Sequence, residues 1–142
     1  MISVALAFDL ICLATNIYFE ARGEDLRGQL AVAEVTLNRV HSDKYPDSIC
    51  SVVLDARRGY ASFPYRHQCQ FSWECDGKRE HIRDVKAWHD AYTVAYSMLH
   101  IAKPNLVGDS LHYHAERVAP KWANHMRYVT QIGDHVFYEP SK

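Results

Sequence analysis

The residues best suited to chemistry sit together early in the chain, in Tyr18-Phe19-Glu20-Ala21-Arg22-Gly23-Glu24. A carboxylate there follows two aromatic rings directly, at a point where an apolar helical segment stops. Two influences would keep Glu20 protonated. Neighbouring rings desolvate it, which disfavours the charged form, and the negative end of a helix dipole opposes a further negative charge. Cleavage of a glycosidic bond needs such an acid, because the leaving oxygen must be protonated as it departs. The plainer use of a glutamate at this position is surface pairing with Arg22 or Arg27.

A polysaccharide cleft also needs flat apolar faces and hydrogen-bonding amides or hydroxyls. Gln70, Phe71, Trp73 and Tyr113 are of those types; His135 in Gly133-Asp134-His135 could line the same cleft, although a turn histidine is the plainer reading. Trp73 divides evenly between core and cleft, whereas Trp88 lies on the inner face of a helix and reads as core. Asn38 and Arg39 close a helix, where capping and carboxylate pairing are expected. Glycosidases normally use two carboxylates, and no second one shares the setting of Glu20. Glu24 is four residues further on, but Gly23 argues against a continuous helix, so Glu24 reads as a partner of Arg22 or a cap. Glu34, opposite Leu30 and Leu37 on its helix, reads as solvated. A single carboxylate favours a lytic transglycosylase, in which one residue is acid and then base. The sugar's own 6-hydroxyl then attacks C1 in place of water.

Several elements must position these groups. Met1 to Leu13 is apolar, but it has no Lys or Arg at its start and Asp9 interrupts it, so it reads as a core helix and not a leader. It is also too short to span a membrane. Leu26, Leu30, Ala33, Leu37 and Val40 recur at helical spacing behind an Asp25 cap. Ser42 to Pro46 ends that helix, and Asp47 is expected to cap a short one carrying Ile49, Val52 and Val53. Residues 56 to 83, with Gly59, Pro64 and Gly77, read as a β-hairpin or ordered loop. A helix from Asp84 to His100 should place Val85, Trp88, Tyr92, Ala95 and Leu99 inward, and Lys103-Pro104-Asn105 ends it. Leu111 to His114 reads as a strand, and Tyr128 to Tyr138 as a hairpin around Gly133-Asp134. The pattern is α+β, with helices enclosing a core beside a small β subdomain.

Four stretches give a resemblance to a known family. They are Ala14-Thr15-Asn16-Ile17-Tyr18-Phe19-Glu20-Ala21-Arg22-Gly23-Glu24, Gly28 to Val40, Cys69-Gln70-Phe71-Ser72-Trp73, and Ile132-Gly133-Asp134-His135-Val136-Phe137-Tyr138. Together they resemble the SleB/CwlJ-type cell wall hydrolases of spore cortex-lytic enzymes and of phage and bacterial lysins. The first two stretches, in that order and spacing, are the specific ones. The resemblance implies a lysozyme-like fold, with a cleft between a helical part and the β part, and peptidoglycan as substrate. It also implies one essential glutamate, matching Glu20.

At 142 residues the chain is expected to form one catalytic domain over its whole length. Its 48% apolar and 23% charged residues are those of a soluble globular protein, and a net charge of −1 offers nothing to draw nucleic acid or an anionic membrane. The expected partner is peptidoglycan alone, bound by a monomer with no nucleic acid and no stable membrane insertion. Two locations suit the sequence. One is the cytoplasm until release, as for a phage lysin working with a holin; the other is a catalytic domain of a longer exported protein. Cys12 reads as a buried free thiol. Cys50, Cys69 and Cys75 flank the loop-rich middle, where a disulfide would staple a long excursion; a cytosolic setting argues against a preformed bridge, spacing does not give the pairing, and with His67 they match no common zinc spacing. No metal or cofactor is expected. A competing reading takes His112 and His114, on one strand face, with His125 or His135 as zinc ligands of a wall amidase or peptidase. A third is a non-catalytic wall-binding module, which accounts for the aromatics but not for the setting of Glu20.

Overall fold

The computed structural model describes residues 3–58, 64–76 and 81–141. Gly59 and Gly77 fall outside them, as does the side chain of His67. Helix α1 runs from Val4 to Ala21 with Ser3 as N-cap, its side chain accepting from Leu6 N. Contrary to the reading of a run too short to span, α1 is by length and composition able to cross a membrane, and 39% of it is buried in the fold. Leu10, Leu13, Ala14, Ile17, Tyr18 and Ala21 form a buried stripe at helical spacing, packed against the later helices. The helix stops after Ala21, as expected, and Asp25 caps α2 (Leu26–Val40) by accepting from Gly28 N at 2.9 Å.

Helix α2 departs from the simple one-faced pattern. Leu26, placed inward by spacing, is 64% exposed, whereas Glu34, placed outward, is wholly buried. The reason is that α2 lies between two cores. Ala33 and Leu37 pack with α1 and the other helices, while Ala31, Val32 and Val35 pack with Val107, Ile132 and Phe137. A buried face on each side leaves no solvent stripe for Glu34.

Helix α3 (Ile49–Val53) is capped by Ser48 and not by Asp47, with Ser48 accepting from Ser51 N. Strands β1 (Ala56–Arg58) and β2 (Pro64–Cys69) pair antiparallel, so the middle region does hold a hairpin, followed by a 3-10 turn at Ser72–Cys75. Helix α4 (Val85–His100) starts at Asp84, which accepts from Ala87 N. Its buried stripe is Ala91, Val94, Ala95 and Met98; Val85 and Tyr92 are exposed, and Trp88 and Leu99 pack only partly. The small side chains let α4 lie close on α1, which rotates the larger ones outward.

The second sheet is antiparallel with order β3-β5-β4: β3 (His112–Ala115), β5 (His135–Pro140) and β4 (Met126–Ile132). The β4–β5 turn holds Gly133 at φ 57°, a left-handed conformation that glycine adopts without a Cβ clash. In register, His112 faces Tyr138 and Tyr113 faces Phe137, so Tyr113, Ala115, His135 and Phe137 share one face. The molecule is α+β, as the sequence indicated, with a helical core and small β parts bounding a cleft.

Two disulfides overturn the reading of Cys12 as a free thiol and of a setting that argues against bridges. Cys12 pairs with Cys50 and Cys69 with Cys75, leaving no free cysteine. Packing of α3 on α1 brings the first pair together, helped by Asp9, which accepts from Cys50 N at 3.2 Å. The second closes the short path from β2 into the 3-10 turn.

Candidate active site

The end of α1, the 3-10 turn, the end of β3 and the β4–β5 turn surround a cleft of about 870 Å³. That lies within the range of small-molecule and cofactor sites, about 300–1,000 Å³. Glu20 lines it from the last turn of α1, and its Oε2 accepts a 2.8 Å hydrogen bond from the Tyr113 hydroxyl. Burial raises the Glu20 pKa, while the Tyr113 hydrogen bond and the positive charge of Arg39 pull it down. Burial and the adjoining Glu20 hold the Tyr113 phenol well above its usual range, so it stays a donor. With Oε2 engaged by that donor, the carboxyl proton belongs on Oε1.

Helix α2 sets the position of Tyr113. Glu34 accepts from Leu106 N at 3.0 Å and from Val107 N at 3.4 Å. Asn38 donates to the carbonyls of Gly108 and Ser110, and Arg39 Nε to that of Leu111 at 2.8 Å. These side chains grip residues 106–111 just before β3 begins. None of the three has the role expected of it: Glu34 is not solvated, and Asn38 and Arg39 do not cap or pair with carboxylates. The Arg39 guanidinium also lies 5.0 Å over the rings of both Tyr45 and Phe71.

The structure separates the other sequence candidates. Trp73 lines the cleft, stacked on Phe19 with centroids 5.0 Å apart. Its indole donates to Asn16 Oδ1 at 2.9 Å, and buried Asn16 is held in turn by Thr36. Asn16 stands one helical turn before Glu20, a spacing that could have revealed it. Phe71 is buried beneath Arg39 and does not reach the cleft, because the core takes its ring. Gln70 is exposed outside the cleft lining, with its backbone N–H bonded to Asp55 O. Phe19 borders the cleft, but Tyr18 does not. Its ring turns to Trp88 and its hydroxyl accepts from Arg22 and from the N–H groups of Arg83 and Asp84.

His135 does line the cleft, with its ring edge-on to Tyr113 at 5.1 Å. Glu24 stands beside it, neither pairing with Arg22 nor capping α2. Its Oε1 accepts from Asp134 N at 3.1 Å and lies 3.2 Å from His135 Nδ1, off the direction of a good hydrogen bond. A Cβ at Gly28 or Gly133 would collide with the Glu24 side chain, so both glycines make room for it. Burial lowers the His135 pKa, with Arg117 and His114 adding to the effect and Glu24 and Asp134 opposing it.

The zinc arrangement is not assembled. His112 and His114 share a face, but His135 is on the other, and Trp122 packs against both rings of the pair. Both His114 nitrogens are occupied, by Ala115 O and the Tyr138 hydroxyl. Among the described residues no group of three or more His, Cys, Asp or Glu side chains could hold a metal. Sequence reasoning missed Arg22, Arg83, Arg117, Asp76 and Asp134, which also line the cleft. They come from separate turns and carry no common spacing.

A family model described as cell wall hydrolase matches residues 23–138, beginning just past Glu20. The spore cortex-lytic enzyme of Oceanobacillus iheyensis is 30% identical over 91% of the chain, and that of Bacillus cereus 26% identical over 91%. The chain spans 41% and 43% of those two proteins' own lengths. Among solved structures, the catalytic domain of the germination-specific lytic transglycosylase SleB from Bacillus anthracis superposes with a TM-score of 0.69 at 26% identity, over 96% of each chain. The catalytic domain of the Bacillus cereus SleB protein gives 0.65 at 26% identity, over 92% of this chain and 89% of that one.

Proposed function

Because the chain belongs to the cell wall hydrolase family, we propose that it cuts the glycan strands of peptidoglycan as a lytic transglycosylase, with Glu20 as acid and then base. The observation that carries this reading is a desolvated Glu20 at the cleft, with one oxygen fixed by Tyr113 and the other left to work. In the first half, Glu20 Oε1 gives its proton to the glycosidic oxygen and the bond from C1 to that oxygen breaks. In the second, the carboxylate takes the proton of the same sugar's 6-hydroxyl as O6 bonds to C1. No water is consumed, and Glu20 ends protonated as it began. Trp73 and Phe19 offer a flat stacked wall for a sugar ring, and the name of the Bacillus anthracis relative supports the reaction type.

A hydrolytic outcome is the second reading. One observation favours it: Asp76 and Asp134 share the cleft and supply the carboxylate that would activate a water. Two disulfides suit work outside the cytoplasm, in an oxidising setting. Glu20→Gln keeps the shape of the side chain and removes its transferable proton. Cleavage of purified peptidoglycan should drop by about 10²–10⁴-fold, the usual worth of a general acid, with the circular dichroism spectrum unchanged. Near-wild-type cleavage by that variant would remove Glu20 from the mechanism.

A further inference from the structure

The proposed reaction uses Glu20 and Tyr113 but leaves a set of arginines in the cleft unexplained. Arg22, Arg83 and Arg117 all line it, and none has a carboxylate within ion-pair reach among the described residues. A net charge of −1 means that they are not the overflow of a basic chain. The guanidinium of Arg22 and the main chain of Arg83 meet at one buried atom. The Tyr18 hydroxyl accepts from Arg22 Nη1 at 2.7 Å and from Arg83 N at 3.2 Å, while the Arg22 guanidinium rests 4.9 Å over the Tyr18 ring. Tyr18 itself has no solvent exposure. A guanidinium carries five N–H donors, and Arg22 spends one on the fold. An arginine seated over a buried ring two residues from the acid, with a second arginine lining the same cleft, is pre-organised for a planar anion.

Resting on the glycan-cleaving reading, we infer that Arg22 and Arg83 form a carboxylate subsite that selects peptidoglycan by its acidic branch and not by its sugars alone. The ligand chemistry is a carboxylate on the muramic acid side. It has two sources: the stem peptide, or the lactyl group once the peptide is gone.

The test compares kcat and KM of the wild type on four glycans. One is native peptidoglycan and one has its carboxylates converted to neutral amides with carbodiimide and ammonia. The third has its stem peptides removed by an amidase, and the fourth is that stripped glycan amidated in turn. Amidation of the native polymer should raise the wild-type KM by about ten-fold or more, the worth of a charge-assisted hydrogen bond. In Arg22→Gln and Arg83→Gln the same chemical change should cost less than about two-fold. A KM that rises on amidase treatment identifies the stem carboxylate as the ligand. A KM that holds there and rises on the second amidation shows that the lactyl carboxylate freed by the amidase takes the same place. An amidation penalty of the same size in the wild type and both variants overturns the subsite, as does no penalty at all. Should Arg22→Gln misfold through its tie to Tyr18, Arg83→Gln decides, since its guanidinium has no ion pair among the described residues. Wild-type cleavage that ignores amidation would defeat the subsite alone; failure to cut any of the four glycans would defeat the glycan-cleaving reading with it.

Discussion

Glu20 must hold its proton to act as an acid, and its surroundings work in both directions. Burial raises its pKa, and the Tyr113 hydrogen bond and Arg39 charge lower it. Activity should therefore fall as pH rises through the raised value in the enzyme–substrate complex. The two influences can be separated by substitution. Phe19→Ala admits water beside the carboxyl, favours the charged form and should move that fall to lower pH. Tyr113→Phe removes a donor to the carboxylate, disfavours the charged form and should move the fall to higher pH. The two shifts should have opposite signs in pH–rate profiles of kcat; shifts of the same sign would contradict this balance. The sequence pointed to Glu20 and to its desolvation, and burial does raise its pKa. It named Tyr18 as a source, but the fold uses that ring to seat Arg22 and leaves the cleft side to Phe19.

Helix α2 does most to place the site, although it contributes no group to the cleft. Its Glu34, Asn38 and Arg39 hold the backbone of residues 106–111, and β3 then delivers Tyr113 to Glu20. Glu34→Ala would strand two amide donors at about 1–3 kcal/mol each. We expect a loss of about 2–4 kcal/mol in denaturant unfolding, with a lower kcat as Tyr113 loosens. A variant within about 0.5 kcal/mol of wild type would show that water replaces the carboxylate. Helix starts at Asp25 and Asp84 and the turn at Gly133 were legible, because caps and turn residues act locally. The burial of Glu34 was not. Periodicity assumes one wet face, and α2 has protein on both sides. Likewise, nothing local tells Phe71 from Trp73, only two residues apart: one is needed under Arg39, while the other reaches Asn16 and stacks on Phe19.

The whole fold is fastened at two places that composition could not pair. Cys12–Cys50 closes 38 residues and ties α1 to α3, so its loss should cost about 2–4 kcal/mol, and the shorter Cys69–Cys75 link less. Thermal melts with and without dithiothreitol measure this, and an unchanged melting temperature under full reduction would contradict it. The central claim is chemical and concerns the bond that is broken and the group that attacks. It is tested most directly by mass spectrometry of the fragments released from purified peptidoglycan. The account predicts muramic acid ends in the 1,6-anhydro form, lighter by one water than a reducing end, and their absence from digests with Glu20→Gln. Reducing muramic ends would instead make the enzyme a hydrolase, and intact glycan with severed amides would contradict the assignment of Glu20 altogether.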